Sequence, residues 1–541
     1  MFGQTQFFLS LALLSACLVS SQSVAQDEQS DPNEQIERGL TAARMNELVD
    51  QLSAADRIVT DLTMRFDGSK MLFDATSSVN KDKKPWVVQL NLKDGPYKAA
   101  VKKYKGDFDA VVHRSLTAGG TRYHAVVWVQ SADKGVELKV PDGPLPETGA
   151  TGADLEPLND LMRRMVQENK LPGATMAVAF EQEILFERGF GYSELDPATP
   201  MPANATMRIA SLSKPITAVG VLLLVQDGVL NLDEPALNYL AKHLKGKFDP
   251  EAAAAVDARW SKVTVRHLLQ HSGGTDRDAS KDTVFQLPEV SKTLELRKLA
   301  KSNDMVRYQL GRPLDFEPGS KYVYSNIGYA MLGRIIEAVS GKEYGHFIQE
   351  RILTPNGMMQ TRLAKTRLKD RASDEVRYYT QQEKKCPAVW AGLDGRGRGR
   401  DEVEMVLEPY GMWDIEVMDS HGGWTSTAAD LLRFIIALEH PEQPLLNAAT
   451  RREMLNPPGF DPGRSRGLWY GCGWNVRNLT DDGAATYWHN GLLAGTSTIM
   501  VHRRDGYSWA VLFNCDKTKD DKQCASVIDS QVHQAVAELA H

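Results

Sequence analysis

Hydrophobic and polar positions change register several times along the chain. Residues 7–20 (FFLSLALLSACLVS) form an unbroken apolar run, too short to span a bilayer comfortably. Residues 27–56 are polar and helix-like, and 57–131 carry short β-rich runs (WVVQLNL, YHAVVWVQ) around a helical stretch near 97–105. The stretch 137–155 is rich in Pro and Gly and breaks both periodicities, which predicts a linker. Beyond it, MVQENKLPGATMAVAFEQEILFERGFGY predicts a helix and two strands joined by a tight turn. Helices follow at about 213–227, 326–340 and 427–439, then two strands (TSTIMVHR, SWAVLFN) and a last helix over 524–540. Strands at both ends with helices between them predict an α+β fold: one antiparallel sheet shared by the terminal strands and flanked by helices, with the helical middle as a second lobe. A small α/β N-terminal module over 27–136 precedes this 156–541 domain.

Composition narrows the picture. A chain of 541 residues implies two or three domains. Its net charge is −7, with no dense basic run carrying interleaved aromatics, so a nucleic-acid partner is not expected. No charged residue occurs before Asp27, and Ser23-Val24-Ala25 is a small-x-small site. Together with the apolar run this predicts a signal peptide over 1–25 and export to the periplasm or beyond. Leu14-Ser15-Ala16-Cys17 resembles a bacterial lipobox, the competing reading, which would anchor the chain through a lipid on Cys17. The apolar run continues past Cys17, which favours plain cleavage. Export permits disulfides, and Cys515 with Cys524 could close a short loop. The alternative is isolated thiols, with Cys472 in YGCGW behaving as a small hydrophobe. No Cys or His cluster has metal-ligand spacing, so no metal or other cofactor is expected.

Ser-x-x-Lys occurs three times, at Ser78–Lys81, Ser131–Lys134 and Ser211–Lys214. On a helix this spacing brings a hydroxyl and an amine to one face, and a serine hydroxyl is a poor nucleophile until a base takes its proton. The first two copies sit in polar stretches and read as solvated loops. The third runs into the apolar PITAVGVLLLVQDGVL, which buries the start of a helix. That context selects Ser211. Tyr324-Ser325-Asn326 adds a phenol able to shuttle a proton and an amide able to orient a carbonyl or the lysine. His489-Asn490-Gly491 precedes the strand TSTIMV; its glycine would admit substrate to a strand edge, and the Leu492 N–H could serve an oxyanion. A rival at His421-Gly422-Gly423 precedes a helix and reads as a turn. Trp488 could stack on substrate or simply pack, and the GRGRGR run at 395–400 reads as a solvated loop.

RIASLSKPITA, VTVRHLLQHSGG, FEPGSKYVYSNIGYAMLGRIIEAVSGKEY, LTPNGMMQTR, GGWTSTAADLLRF, YGCGW and WHNGLLAGTSTIMV occur in that order. Together they resemble the class C β-lactamase group, which also holds DD-peptidases, D-aminopeptidases and family VIII esterases. The resemblance spans about 160–520 and implies a β-lactamase/transpeptidase-like fold. It implies Ser211 as nucleophile, Lys214 and Tyr324 as the proton-transfer pair, Asn326 as positioner, and the N–H groups of Ser211 and Leu492 as oxyanion hole. One departure bears on substrate: His489 stands where a lysine is common in the β-lactamases, which removes a fixed charge from the place where a substrate carboxylate would dock. The expectation is therefore an acyl-enzyme hydrolase of esters or small amides. The alternatives are a DD-peptidase or β-lactamase on peptidoglycan-like substrates, and a penicillin-binding sensor or wall-binding protein that acylates without turning over. Lys214 and Tyr324 both have ordinary pKa values near ~10, and the sequence leaves open which is the base.

Overall fold

The computed structural model describes residues 34–82, 84–131, 135–150, 155–244, 250–390, 404–461 and 467–539. The segment predicted as a signal peptide, Cys17 of the lipobox-like tetrapeptide, Lys134 and the 395–400 run lie outside them. Two compact units meet after Lys83. In the first, the strand Gln35–Leu40 leads into the helix Ala42–Ala54 and then the hairpin Arg57–Asp67/Lys70–Val79, giving a sheet in first–third–second order. Thr41 caps the helix by accepting the Arg44 N–H at 3.4 Å. Its buried face, Met45, Val49 and Leu52, has helical spacing and lies against the hairpin. Ser78 lies on the last strand, not in a loop, so the first Ser-x-x-Lys has no helix to align its side chains.

The larger unit opens with the same pattern: strand Trp86–Lys93, helix Asp94–Tyr104 and hairpin Phe108–Ala118/Thr121–Gln130, again in first–third–second order. The stretch 27–136 therefore holds two copies of one motif, and the unit boundary falls between them. The second copy is tied to the remainder of its unit. Met405 packs on its Tyr104, Phe108 and Trp128 cluster, and Lys385 pairs with Asp107 at 3.0 Å. The Pro/Gly-rich stretch is held as well: Val136 and Glu137 pair with Glu383 and Gln382, and Glu147 and Thr148 pair with Phe190 and Gly189. Breaker residues predict irregular backbone there, but the pairing partners lie far away in sequence.

The main sheet joins strands from residues 173–200 to strands from residues 468–513. In spatial order its strands are Ala198–Pro200, Glu183–Leu195, Gly173–Phe180, Tyr507–Phe513, Thr496–His502, Thr486–Leu493, Asn475–Arg477 and Leu468–Tyr470. Neighbouring strands are antiparallel throughout, and Gly173–Phe180 pairs with Tyr507–Phe513 from Ala174↔Phe513 to Phe180↔Tyr507. Both faces are covered, so these strands read as continuous apolar runs. Met176, Val178, Trp509 and Val511 face the helices Glu156–Glu168 and Cys524–Leu539. Ala177, Ala179, Ala510 and Leu512 face the helix Ala428–Leu438 and the larger core of the helical lobe. Among the described residues no helix is long and apolar enough to cross a membrane. Ile528 is fully buried between the last helix and the sheet; Ile528→Ala is expected to cost about 2–5 kcal/mol in a denaturant titration, with the slope of the transition unchanged.

Candidate active site

The Ser211 position is built by a braced turn. Arg208 is buried and donates to the carbonyls of Pro409 (2.5 Å), Lys365 (2.9 Å) and Thr366 (3.1 Å), while lying over the Tyr378 ring. Two residues on, Ala210 adopts φ +49°, a left-handed conformation that a residue with a side chain holds only when its surroundings enforce it. A single 3-10 turn, Ala210–Leu212, then enters the helix Ser213–Gln226, whose first twelve residues are all buried. Ser211 stays partly exposed at the head of this helix, and Lys214, one turn in, has 0% exposure.

The Tyr-Ser-Asn segment is held from behind by the His-Ser-Gly-Gly motif. The His271 ring accepts the Ser325 N–H at 3.1 Å and lies 4.3 Å from the Tyr324 ring and 4.5 Å from that of Tyr470, centroid to centroid. Ser325 caps the helix Asn326–Ser340 through the Gly328 N–H. Tyr324 thereby donates its hydroxyl to Ser211 Oγ at 2.9 Å. The Lys214 amine lies 3.1 Å from Ser211 Oγ, 2.7 Å from Asn326 Oδ1 and 2.8 Å from the His421 carbonyl. Asn326 Nδ2 in turn donates to Asp282 Oδ2 at 2.7 Å.

Burial dominates the electrostatics. It holds the Lys214 amine well below its ordinary value; Asp282 opposes the shift and Arg277 adds to it. It also raises the Tyr324 phenol, so that group stays protonated, with the Ser211 hydrogen bond only partly offsetting the shift. A neutral amine has two N–H donors and one lone pair. Asn326 Oδ1 and the His421 carbonyl can only accept, so they take both donors, and the lone pair is left facing the Ser211 hydroxyl. The structure thus brings Ser211, Lys214, Tyr324 and Asn326 together.

His489, Gly491 and Leu492 lie within the strand Thr486–Leu493 rather than ahead of a strand. Beyond Trp488 that strand pairs only with Thr496–His502, and its other edge borders the Ser211 turn. Leu492 is 38% exposed at the cleft, and His489 is 2% exposed in its wall. The His489 Nδ1 faces the Asn490 carbonyl at 2.7 Å and so carries the proton, which leaves Nε2 to accept the Tyr470 hydroxyl at 3.0 Å. Gly491 has a different role from the one expected. An added Cβ would stand 2.3 Å from Thr498 Oγ1 and 2.4 Å from the Ile209 carbonyl, so its missing side chain lets the strand seat against the nucleophile turn. Trp488 packs with the core on the far face of the sheet, under Arg477.

Several cleft residues are unmarked in the sequence or marked there only as a turn. His421 is not a bystander turn: it sits in the short helix Asp419–Gly422, lines the cleft, and supplies the carbonyl that Lys214 contacts. Its buried imidazole, with neither ring nitrogen hydrogen-bonded, is kept neutral by desolvation and by nearby Lys214 and Arg334. Arg277 lines the mouth, 5.5 Å above the Tyr324 ring, in a cleft of about 560 Å³ that Phe285, Trp413, Glu408 and Asp516 also border. Neither Arg277 nor Asp282 stands in a recognisable local motif. Cys472, Cys515 and Cys524 are buried free thiols. Burial pushes Cys472 and Cys515 up to about 12, so both are inert as nucleophiles. Among the described residues no three His, Cys, Asp or Glu side chains cluster as a metal site.

An antiparallel sheet under a helical lobe, with serine, lysine and tyrosine converging at their junction, defines a serine hydrolase of the β-lactamase and transpeptidase type. The Beta-lactamase family model matches residues 158–533, and the chain belongs to that family. It is 27% identical over 383 residues to penicillin-binding protein 4* of Bacillus subtilis (strain 168), covering 70% of this chain and 75% of that one. Two solved structures share the fold at a TM-score of 0.52. D-amino acid amidase from Ochrobactrum anthropi SV3 is 21% identical over 72% of this chain and 99% of its own. EstCE1, a hydrolase with promiscuous acyltransferase activity, is 17% identical over 71% and 98%. Gly491→Ala is expected to lower kcat/KM for any acyl substrate by about 10²-fold by displacing the Ser211 turn; steady-state kinetics beside a thermal melt separate this from unfolding.

Proposed function

We propose that the protein hydrolyses esters or small amides through an acyl-enzyme on Ser211. The observation that carries this reading is the fully buried Lys214 amine 3.1 Å from Ser211 Oγ, with the Tyr324 phenol 2.9 Å from the same oxygen. The Ser211 Oγ–carbon bond forms as its proton passes to Lys214 Nζ. The bond to the leaving alkoxide or amine breaks, and the leaving group takes that proton through the Tyr324 phenol. Water then attacks the acyl carbon with Lys214 as base, and the proton returns to Ser211 as the acid departs. The N–H groups of Ser211 and Leu492 are the donors for the oxyanion. Similarity to a fold-mate described as a hydrolase and to an amidase supports ester and amide substrates.

A second reading, a DD-peptidase or β-lactamase, gains from Arg277: it places a cation at the cleft although position 489 lacks one. Similarity to a penicillin-binding protein supports it too. A panel of an activated short-chain ester, a chromogenic cephalosporin and a D-alanyl peptide distinguishes the two. Ester turnover without the others supports the first; cephalosporin or peptide turnover in preference to ester supports the second. A fluorescent penicillin label that persists for hours with no turnover would instead mark a sensor. Ser211→Ala is expected to abolish turnover by about four orders of magnitude or more, and full activity in that variant sinks both catalytic readings. With Lys214 as base, kcat/KM should rise with pH as the amine loses its proton. Because burial lowers that pKa, the rise is complete well below pH 10. A pH–rate profile with an acid limb near the ordinary lysine value would overturn the assignment.

A further inference from the structure

We propose that Asp282 is a positioning residue for acylation, acting on Lys214 through the Asn326 amide. The inference rests on the Ser211–Lys214 reading and adds a third layer to it. A primary amide can present either its oxygen or its nitrogen to the lysine, and the rotation that exchanges them changes little in shape. Here the choice is forced from behind. Burial raises the Asp282 pKa while its bonds from Asn326 and Val284 and the nearby Lys214 and Arg277 hold it down; ionised, the carboxylate can only accept, so the amide face 2.7 Å from it is Nδ2. That rotation turns Oδ1 to Lys214 at 2.7 Å, where an amine donor needs an acceptor. It also leaves the second Nδ2 hydrogen free for a substrate carbonyl in the cleft that Asn326 lines. Without Asp282 the amide can flip and set an N–H donor against the lysine, which displaces the amine from Ser211.

The segment bearing Asp282 is built to hold this contact. Asp282 caps the 3-10 turn Thr283–Phe285 by accepting the Val284 N–H at 3.4 Å, and buried Thr283 donates to Gln309 Oε1 at 2.5 Å. The other charged or titratable groups around the pair are Arg277, which faces both Asp282 and Lys214, the Tyr324 and Tyr329 rings over which the amine lies, and His421. Asp282 brings the one negative charge acting on Lys214 among them, and it favours the ammonium form. Removing that charge while keeping the shape must therefore make Lys214 a base at lower pH.

The test uses the rate at which a fluorophosphonate labels Ser211, measured against pH in the full chain, because this reports acylation without choosing a substrate. Asp282→Asn removes the charge and keeps one acceptor oxygen, which can serve Asn326 Nδ2 at the expense of the long Val284 contact, so its maximal labelling rate should stay within a few-fold of the parent. Its acid limb should move down by about one pH unit. Asp282→Ala should slow labelling about 10–100-fold at all pH values, but cost less than about two-fold in an Asn326→Ala background, where no amide remains to orient. An unmoved limb in Asp282→Asn, or an equal loss from Asp282→Ala with and without Asn326, overturns the proposal. If Asp282→Ala does not fold, the limb of Asp282→Asn decides alone. Failure of the parent chain to label at Ser211 would instead count against the proposed function.

Discussion

Everything at the cleft depends on taking the Lys214 amine out of water. A buried ammonium is costly by several kcal/mol unless it is directly paired, and Asp282 reaches Lys214 only across the Asn326 amide, whereas a neutral amine needs only two acceptors and a group for its lone pair. The protein supplies these from three segments: Ser211 in the turn just before the lysine's helix, Asn326 at the start of another helix, and the carbonyl of His421. Each must arrive within about 3 Å, which explains why the surrounding segments are so heavily braced. Arg208 ties the turn before the nucleophile to three carbonyls, His271 clamps the tyrosine loop, and Gly491 lets the sheet edge close against Ile209.

The same need for dryness shapes what can bind. His489 occupies the place where a charge was missed, and both its ring nitrogens are turned to partners in the protein. The cation at the cleft is Arg277, at the start of the short helix Arg277–Ser280 that precedes Asp282, while Glu408 and Asp516 border the cleft as well. The charged residues that border the cleft therefore lie outside the family's motifs. Substrate identity is then the least transferable property of the chain, because it depends on loops rather than on the sheet and the two catalytic helices.

The N-terminal stretch shows how a weak pattern hides a strong architecture. Gln35–Leu40 is a nearly fully exposed strand with no alternation to mark it, so its run of polar residues reads as helix. The second copy of the motif has a clearer signal, since Val87, Tyr104, Phe108 and Trp128 bury a common core. Repetition becomes visible only when both copies show the same strand order.

The sequence by itself determined the elements whose signal is local. The apolar helix behind Ser211, the capped helix after Ser325 and the two apolar late strands need only their own residues to declare themselves, and ordered motifs pointed to Ser211, Lys214 and Tyr324, which the fold brings together. Tertiary structure decided whatever depends on an orientation or on a partner far along the chain. Which way the Asn326 amide faces is set by Asp282, 44 residues away. Whether His489 can meet a substrate is set by Tyr470, and whether Gly491 serves substrate or packing is set by Ile209. Periodicity and composition report how a residue relates to its own helix or strand; they carry no information about the side chain that folding brings against it.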